Sequence, residues 1–150
     1  MQEVYCIGDG HPGIWNLFQE IGVTEQRQEI LDWYHLKENL ADAGGSMKRS
    51  KQAGSLLWSG KVNEVINLFK NLKKKSFKTF CNYLETHRSR IVNYQYYKEE
   101  SLSSIGSGTI ESTIKRIGLR VKLSGAQWNI ENVSSILSLR CAYLNGQLST

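Results

Sequence analysis

The sequence predicts an α/β fold at its start and an all-α fold in the remainder. A short apolar run at residues 3–7 and a second short strand predicted at residues 28–31 alternate with patterns typical of helices in residues 1–45. After residue 45 the apolar residues recur only at helical spacing. The chain has 150 residues, of which 40% are hydrophobic and 22% charged, which is ordinary for a globular protein. A strand–helix–strand–helix order of this kind is typical of a parallel sheet.

The first third contains four predicted elements. Residues 3–7 form an apolar run that Gly8-Asp9-Gly10 ends, which predicts a buried strand followed by a tight loop. Apolar residues at helical spacing follow over 14–21. Residues 28–31 predict a second strand, and 36–43 a second helix.

The rest of the chain is predicted to be helical. Apolar residues mark one amphipathic helix over 62–72 and another over 77–91. Residues 96–108 are rich in tyrosine, serine and then glycine, which predicts a loop. Two further helices are expected to begin near Gly108 and Asn129.

Several protein classes are excluded by composition. No apolar run is long enough to span a membrane, and the residues after Met1 do not have the pattern of a secretory signal. Cys6, Cys81 and Cys141 are odd in number, far apart and without a CxxC pair, so we expect reduced thiols in a cytoplasmic protein. His11 and His87 are expected to be ordinary loop and helix-surface histidines.

Charge is distributed unevenly along the chain. Residues 1–47 hold eight acidic and two basic residues, residues 48–98 hold twelve basic and two acidic ones, and residues 99–150 have a net charge of +1. A basic middle beside an acidic first third favours a surface that binds a polyanion next to one that bears carboxylates. The alternative is a solvated helix face with no ligand.

Asp9 and Asp32 each follow a predicted strand directly. Their spacing of 23 residues suits one helical crossover between parallel strands, and such crossovers are right-handed in nearly all proteins. Parallel neighbours end at the same edge of a sheet, so both carboxylates should face the crevice where open α/β sheets bind ligands.

Paired carboxylates at such an edge suit Mg²⁺, a hard cation that prefers oxygen ligands. Two Mg²⁺ ions about 4 Å apart can activate an attacking oxygen and stabilise the leaving one at phosphorus. Aspartates after strands also commonly cap the next helix or form an Asx-turn, and this structural alternative stays open for both residues.

Glu111 is the third candidate acid. It lies in Gly106-Ser107-Gly108-Thr109-Ile110-Glu111-Ser112, at the first turn of a predicted helix. A glutamate in that position also stabilises the helix dipole without any ligand, so its position does not by itself assign a function.

Three ordered motifs together resemble DDE transposases of the Kra group of insertion sequences, which are similar to the Mutator-type transposases of eukaryotes. The motifs are Gly8-Asp9-Gly10-His11-Pro12-Gly13-Ile14-Trp15, Ile30-Leu31-Asp32-Trp33-Tyr34-His35 and the glycine-flanked segment around Glu111. The segments 122–128 and 139–145 also resemble the C-terminal part of that family. The likeness therefore extends over almost the whole chain.

The resemblance implies a partial RNase H-like fold with a helical insertion. Residues 1–45 would be its α/β part, residues 46–105 the basic insertion, and residues 106–150 the C-terminal helices that carry Glu111. Asp9 and Glu111 would be the catalytic acids that hold Mg²⁺, with two ions expected in the intact enzyme. Asp32 and His35 would support the site without forming part of the metal-binding triad.

The first catalytic aspartate of the family lies on a strand upstream of Val4. We therefore expect this chain to be the C-terminal part of a transposase, and to cleave no DNA alone. The intact enzyme would act in the bacterial cytoplasm, associated with the nucleoid, as a homo-oligomer on the transposon ends and the target DNA.

Three clusters of basic residues are the expected DNA contacts, since several phosphate contacts make affinity depend steeply on salt. They are Lys48, Arg49 and Lys51; Lys73, Lys74 and Lys75; and Lys115, Arg116, Arg120 and Lys122. Two alternatives remain: a non-catalytic helical DNA-binding module that regulates a full-length transposase, and an unrelated metal-dependent nuclease of the same fold.

Overall fold

A computed structural model of the protein describes residues 3–122, residue 125 and residues 127–147. The chain divides into two compact units, Met1–Ser107 and Gly108–Thr150. Within the described part, no helix combines the length and the apolar character needed to cross a membrane.

The first unit begins with two parallel strands, as the sequence predicts. Strand β1 (Val4–Gly8) pairs with β2 (Arg27–Leu31) in a register that matches Val4 with Arg27 and Gly8 with Leu31. The crossover contains helix α1 (Pro12–Phe18) and a 3₁₀ turn. His11 caps α1, because its Nδ1 accepts a hydrogen bond from the amide of Gly13.

Helices complete the first unit, which confirms the predicted change from α/β to all-α. They are α2 (Trp33–Ala43), α3 (Met47–Trp58), α4 (Val62–Phe69), α5 (Lys75–Thr86) and α6 (Tyr94–Glu99). Three of them begin at residues whose side chains accept hydrogen bonds from the first turn: Asp32, Ser46 and Asn93.

Several element boundaries differ from the prediction, and α3 was not predicted as a separate helix. Helix α1 ends at Phe18 instead of residue 21, and α2 begins at Trp33 instead of residue 36. Helix α4 ends at Phe69, and α5 ends at Thr86, so that Ile91 follows a 3₁₀ turn and lies outside the helix. The predicted loop 96–108 overlaps α6. The reason is local: Asn93 caps this short helix, and burial of Tyr94, with 0% of its surface exposed, fixes it to the core.

One hydrophobic core joins the strands to the helices of the first unit. Leu31, Leu36, Leu57, Val65 and Leu84 are each no more than 1% exposed and belong to the same cluster. Burial of a leucine side chain contributes about 1.5–3 kcal/mol. The α/β part of the first unit and the helices of the basic part of the chain therefore stabilise each other through this shared core.

The second unit consists of α7 (Gly108–Val121) and α8 (Ile130–Leu144), which begin where the sequence predicts. The Trp128 indole N–H donates a hydrogen bond of 2.5 Å to the carbonyl of Val121, the last residue of α7. Asn129 then caps α8.

Candidate functional site

The carboxyl ends of β1 and β2 meet at one edge of the sheet. Gly8 pairs with Leu31, and the amide of Asp32 donates a hydrogen bond of 2.8 Å to the Gly8 carbonyl. Asp9 and Asp32, the next residue of each strand, therefore follow adjacent strand ends. This placement, predicted from their spacing, is confirmed. We call the edge of the sheet that bears Asp9 and Asp32 the acid edge.

Asp9 lies in the loop between β1 and α1 with its side chain exposed. Its Oδ1 accepts a hydrogen bond of 2.9 Å from the amide of His11, which is the turn-forming contact that the sequence left open. The exposed position also allows the carboxylate to meet a cation from solvent.

Asp32 is buried, with 1% of its surface exposed, and acts as the N-cap of α2. Its Oδ1 accepts from the amides of Tyr34 at 2.7 Å and His35 at 3.2 Å. Its Oδ2 accepts from the amide of Ser107 at 2.6 Å and from the Ser107 hydroxyl at 2.5 Å. A carboxylate has about four lone-pair directions, so these donors leave little capacity for a metal ion.

The pKa of Asp32 lies below its ordinary value. Burial by itself raises the pKa of this carboxyl, but the hydrogen bonds from the Ser107 hydroxyl and amide, and from the amides of His35 and Tyr34, outweigh it. Asp32 is therefore a permanent anion at neutral pH, held in one orientation.

His35 lies one turn into α2, beside Asp32. Its Nδ1 is 3.6 Å from Asp32 Oδ2, too far for a hydrogen bond, and this buried nitrogen has no hydrogen-bond partner within the described chain. About a third of the His35 side chain, 32%, is exposed. The imidazole can therefore reach a ligand at the acid edge while staying next to the Asp32 charge.

The segment that precedes α7 is fixed to the start of α2. The Trp33 amide donates a hydrogen bond of 2.9 Å to the Ile105 carbonyl, and Ser107 binds Asp32 as described. A Cβ atom at Gly106 would lie 2.6 Å from the Tyr34 ring, so only glycine allows this approach. The first glycine and the serine of the Gly-Ser-Gly motif thus have structural roles.

Glu111 lies in the first turn of α7, four residues after Ser107, with its side chain exposed. That Asp9 and Glu111 share a metal site stays a prediction.

Tyr83 of α5 and His87, the residue after this helix, both lie at the acid edge. The sequence did not predict either of them as part of the site. Tyr83 Oη and His87 Nε2 each lie 3.4 Å from the position that a Cβ atom of Gly10 would take. The prediction of a helix-surface His87 is wrong, since only 6% of the residue is exposed. The sequence did contain one signal for this pair: their spacing of four residues places both on one face of the predicted helix.

Burial changes the pKa of both side chains. Burial, with the negative charges of Asp9 and Asp32, raises the pKa of Tyr83 to about 12. Burial, with the charge of Arg90, lowers the pKa of His87. Both groups are therefore neutral near pH 7 and offer hydrogen bonds without charge.

Two of the predicted basic clusters meet at the turn between α2 and α3. A Cβ atom at Gly44 would lie 3.1 Å from Lys74 Nζ, and one at Gly45 would lie 3.8 Å from the Arg49 guanidinium. We call this region the basic surface, with members Lys48, Arg49, Lys51, Lys73, Lys74 and Lys75. All are exposed except Arg49, which is partly buried.

One member of the basic surface has a structural contact as well. Lys74 Nζ donates a hydrogen bond of 3.4 Å to the Ala43 carbonyl and lies 5.4 Å from the centre of the Phe77 ring. It therefore closes the carboxyl end of α2, where a positive charge is favourable.

The third basic cluster belongs to the second unit. Lys115, Arg116 and Lys122 are exposed. Arg120 belongs to α7, and its side chain lies outside the described part of the chain.

Comparison of the chain with protein-family models, with curated proteins and with solved structures finds no match.

Proposed function

We propose that the chain forms part of the catalytic centre of a DDE transposase with an RNase H-like fold, in which Asp9 and Glu111 hold Mg²⁺. The proposal rests on the three motifs of the sequence and on one observation above all. Ser107, in the motif that contains Glu111, is hydrogen-bonded to Asp32 at the acid edge.

Glu111 follows Ser107 by four positions in the same glycine-flanked motif, and this is the link along the sequence between the acid edge and the proposed catalytic glutamate.

The carboxylate oxygens of the proposed site suit Mg²⁺ as ligands. Asp9 and Glu111 offer exposed carboxylates, the ligand type that Mg²⁺ prefers. The saturated Asp32 carboxylate would act as a positioning residue, because it orients the start of α2 and the segment before α7. This division of roles agrees with the sequence expectation that Asp32 and His35 support the site.

The proposed reaction is phosphodiester cleavage followed by strand transfer. Water forms a new bond to phosphorus, the bond from phosphorus to the 3′ oxygen breaks, and the 3′ oxygen leaves as a hydroxyl. That hydroxyl then attacks a phosphodiester of the target DNA in the same way. Asp9 and Glu111 would hold the Mg²⁺ ions, whose chemistry would be to activate the attacking oxygen and stabilise the leaving one. The basic surface would hold the DNA by its phosphates.

Manganese binding tests the metal site, because Mn²⁺ takes the same oxygen ligands as Mg²⁺ and its effect on water relaxation can be measured. We expect Asp9→Asn and Glu111→Gln each to weaken Mn²⁺ binding about tenfold or more, since loss of even an outer-shell partner costs that much. Glu25→Gln removes an exposed carboxylate elsewhere and should leave binding unchanged. Equal binding by all four proteins would refute the metal centre.

A non-catalytic DNA-binding module is the second candidate function. The convergence of two basic clusters at Gly44–Gly45 favours it, and so do the local structural contacts that Asp9 and Asp32 both make. DNA binding that is retained in Asp9→Asn and Glu111→Gln, in a protein that takes up no Mn²⁺, would establish this alternative.

A further inference from the structure

A cleft between α4 and α5 carries four lysines. It has a volume of about 570 Å³, within the range of about 300–1,000 Å³ that is usual for binding sites. All four lysines are exposed, and none forms an ion pair with another described residue. The described residues that line the cleft include no acid. We call it the lysine cleft, after Lys70, Lys73, Lys75 and Lys78.

The remaining wall of the lysine cleft is apolar. Ile66, Leu72 and Cys81 line it and are half-buried. Phe69 lines it too, but with 1% of its surface exposed its ring offers no face on which a nucleotide base could stack. An aliphatic wall among positive charges therefore favours an occupant with carboxylates and apolar side chains over a strand of DNA.

Residues 17–25 of the same unit have the complementary character. They run from the end of α1 into the 3₁₀ turn before β2, and they hold two exposed acids, Glu20 and Glu25, and no basic residue. Exposed apolar side chains that occur together among polar residues are typical of a contact surface. We call this segment the acidic ridge. Its exposed apolar residues are Leu17, Ile21 and Val23, with exposed fractions of 54%, 40% and 52%.

Hydrogen bonds hold the acidic ridge in one conformation. The Arg27 side chain, only 5% exposed, donates to the Ile21 carbonyl at 3.1 Å and to the Gln19 side-chain oxygen at 2.8 Å. The amide of Glu20 donates to the carbonyl of Leu17 at 3.1 Å. A surface that is ordered before it binds loses less conformational entropy on binding.

We propose that the acidic ridge of one copy of this chain docks into the lysine cleft of a second copy. The carboxylates of the ridge then meet the lysines, and its apolar side chains cover the aliphatic wall. The two surfaces differ, so the contact is heterologous, and copies join head to tail in an open series or a ring. This inference goes beyond the proposed function and does not depend on it.

The contact is small. A stable interface of standard size involves about 20–30 residues on each side, and the acidic ridge has nine. We therefore expect self-association only at micromolar or higher concentrations. Salt should weaken it, because the charges lie in exposed positions.

Sedimentation velocity of the full chain at low salt, without metal or DNA, tests the contact over a concentration series. We expect the sedimentation coefficient of the unmodified chain to rise with concentration. The cleft variant, Lys70→Glu with Lys78→Glu, should weaken association at least tenfold, because it places like charges opposite the ridge. The ridge variant, Ile21→Asn with Val23→Asn, should do the same, as loss of apolar anchors does at interfaces.

A charge-matched control separates the contact from an effect of net charge. Lys37→Glu with Lys61→Glu changes the net charge as much as the cleft variant, at exposed lysines that do not line the cleft. This control should associate like the unmodified chain.

A mixture of the two variants separates the contact from loss of folding. The ridge variant keeps an intact cleft, and the cleft variant keeps an intact ridge. An equimolar mixture should therefore form a dimer and nothing larger, at concentrations where each variant alone is monomeric.

Three results would overturn the proposal. The unmodified chain could stay monomeric throughout the series, the charge-matched control could lose association as fully as the cleft variant, or the mixture could stay monomeric. An unmodified chain that stays monomeric but binds an oligonucleotide, with binding lost in the cleft variant, would assign the cleft to DNA instead.

Discussion

The Asp32 carboxylate accepts four hydrogen bonds, and three of their donors are backbone amides. Two donors belong to the start of α2, and two belong to Ser107, 75 residues further along the chain. One side chain therefore performs a local task, capping a helix, and a long-range one, fixing the segment before α7.

The two tasks can be separated by Asp32→Asn. The amide oxygen of asparagine can still cap α2, but its NH₂ group would face the Ser107 donors. We expect the free energy of unfolding to fall by about 1–3 kcal/mol, measured by urea denaturation at pH 7. Glu38→Gln, an exposed change in the same helix, is the control and should have little effect.

The same substitution should alter the pH dependence of stability. The pKa of Asp32 is lower in the folded protein than its unfolded value of about 3.9, so its stabilising contribution is complete above that value. It is lost as the pH falls through the folded pKa. The difference in unfolding free energy between the unmodified chain and Asp32→Asn should therefore shrink below about pH 4, and a constant difference would contradict this account.

The sequence predicted one of the two roles of Asp32, the helix cap, but not its contact with Ser107. Its place after a strand made a helix cap a clear alternative, and the structure has that cap. Its bond to Ser107 depends on how distant segments pack, which spacing along the chain does not encode. Tyr83 and His87 were missed for a similar reason, because polar residues next to an apolar helix stripe are usually solvated.

At the scale of elements, β2 depends on the helices that follow it. The Tyr94 hydroxyl donates a hydrogen bond of 2.7 Å to the Leu31 carbonyl at the end of β2. Arg90 binds Glu29 of the same strand at 2.7 Å. A two-stranded sheet is marginal by itself, so these contacts compensate for the small number of strands.

We expect Tyr94→Phe to lower the free energy of unfolding by about 1 kcal/mol, because the Leu31 carbonyl loses a buried partner. Urea denaturation measures the change, and Tyr96→Phe in the same helix serves as the control. Equal stability of the two variants would show that β2 does not need this bond.

The elements were predicted well where apolar periodicity is strong and less well elsewhere. Both strands and the starts of α7 and α8 agree with their patterns. The end of α5 was placed too late, because Ile91 continued the helical spacing while the backbone had already turned at His87. Short α6 was assigned to a loop because its capping residue and one buried tyrosine give too little periodic signal.

At the scale of the molecule, the first unit combines an acid edge with a basic surface. The two regions lie at opposite ends of α2: Asp32 caps its start, and Lys74 binds the carbonyl of its last residue, Ala43. The acid edge and the basic surface are therefore separate parts of the first unit.

Phosphate contacts by the basic surface would make DNA affinity fall steeply with salt. For duplex DNA the logarithm of the affinity changes by about 0.9 per phosphate contact with the logarithm of salt concentration. We expect the double variant Lys48→Gln, Lys51→Gln to reduce that slope by about 1.8, measured by anisotropy across a salt series. Lys61→Gln, which removes an exposed lysine outside the basic surface, should keep the slope of the unmodified chain.

The length of helix α2 sets the distance between the acid edge and the basic surface. Its 11 residues, Trp33–Ala43, span about 16 Å between the acid edge and the turn at Gly44, since each residue of an α-helix adds about 1.5 Å. Duplex DNA advances about 3.4 Å per base pair, so this length corresponds to about five base pairs. Under the proposed function, a duplex lying along α2 would therefore meet the basic surface about half a helical turn away from the acid edge.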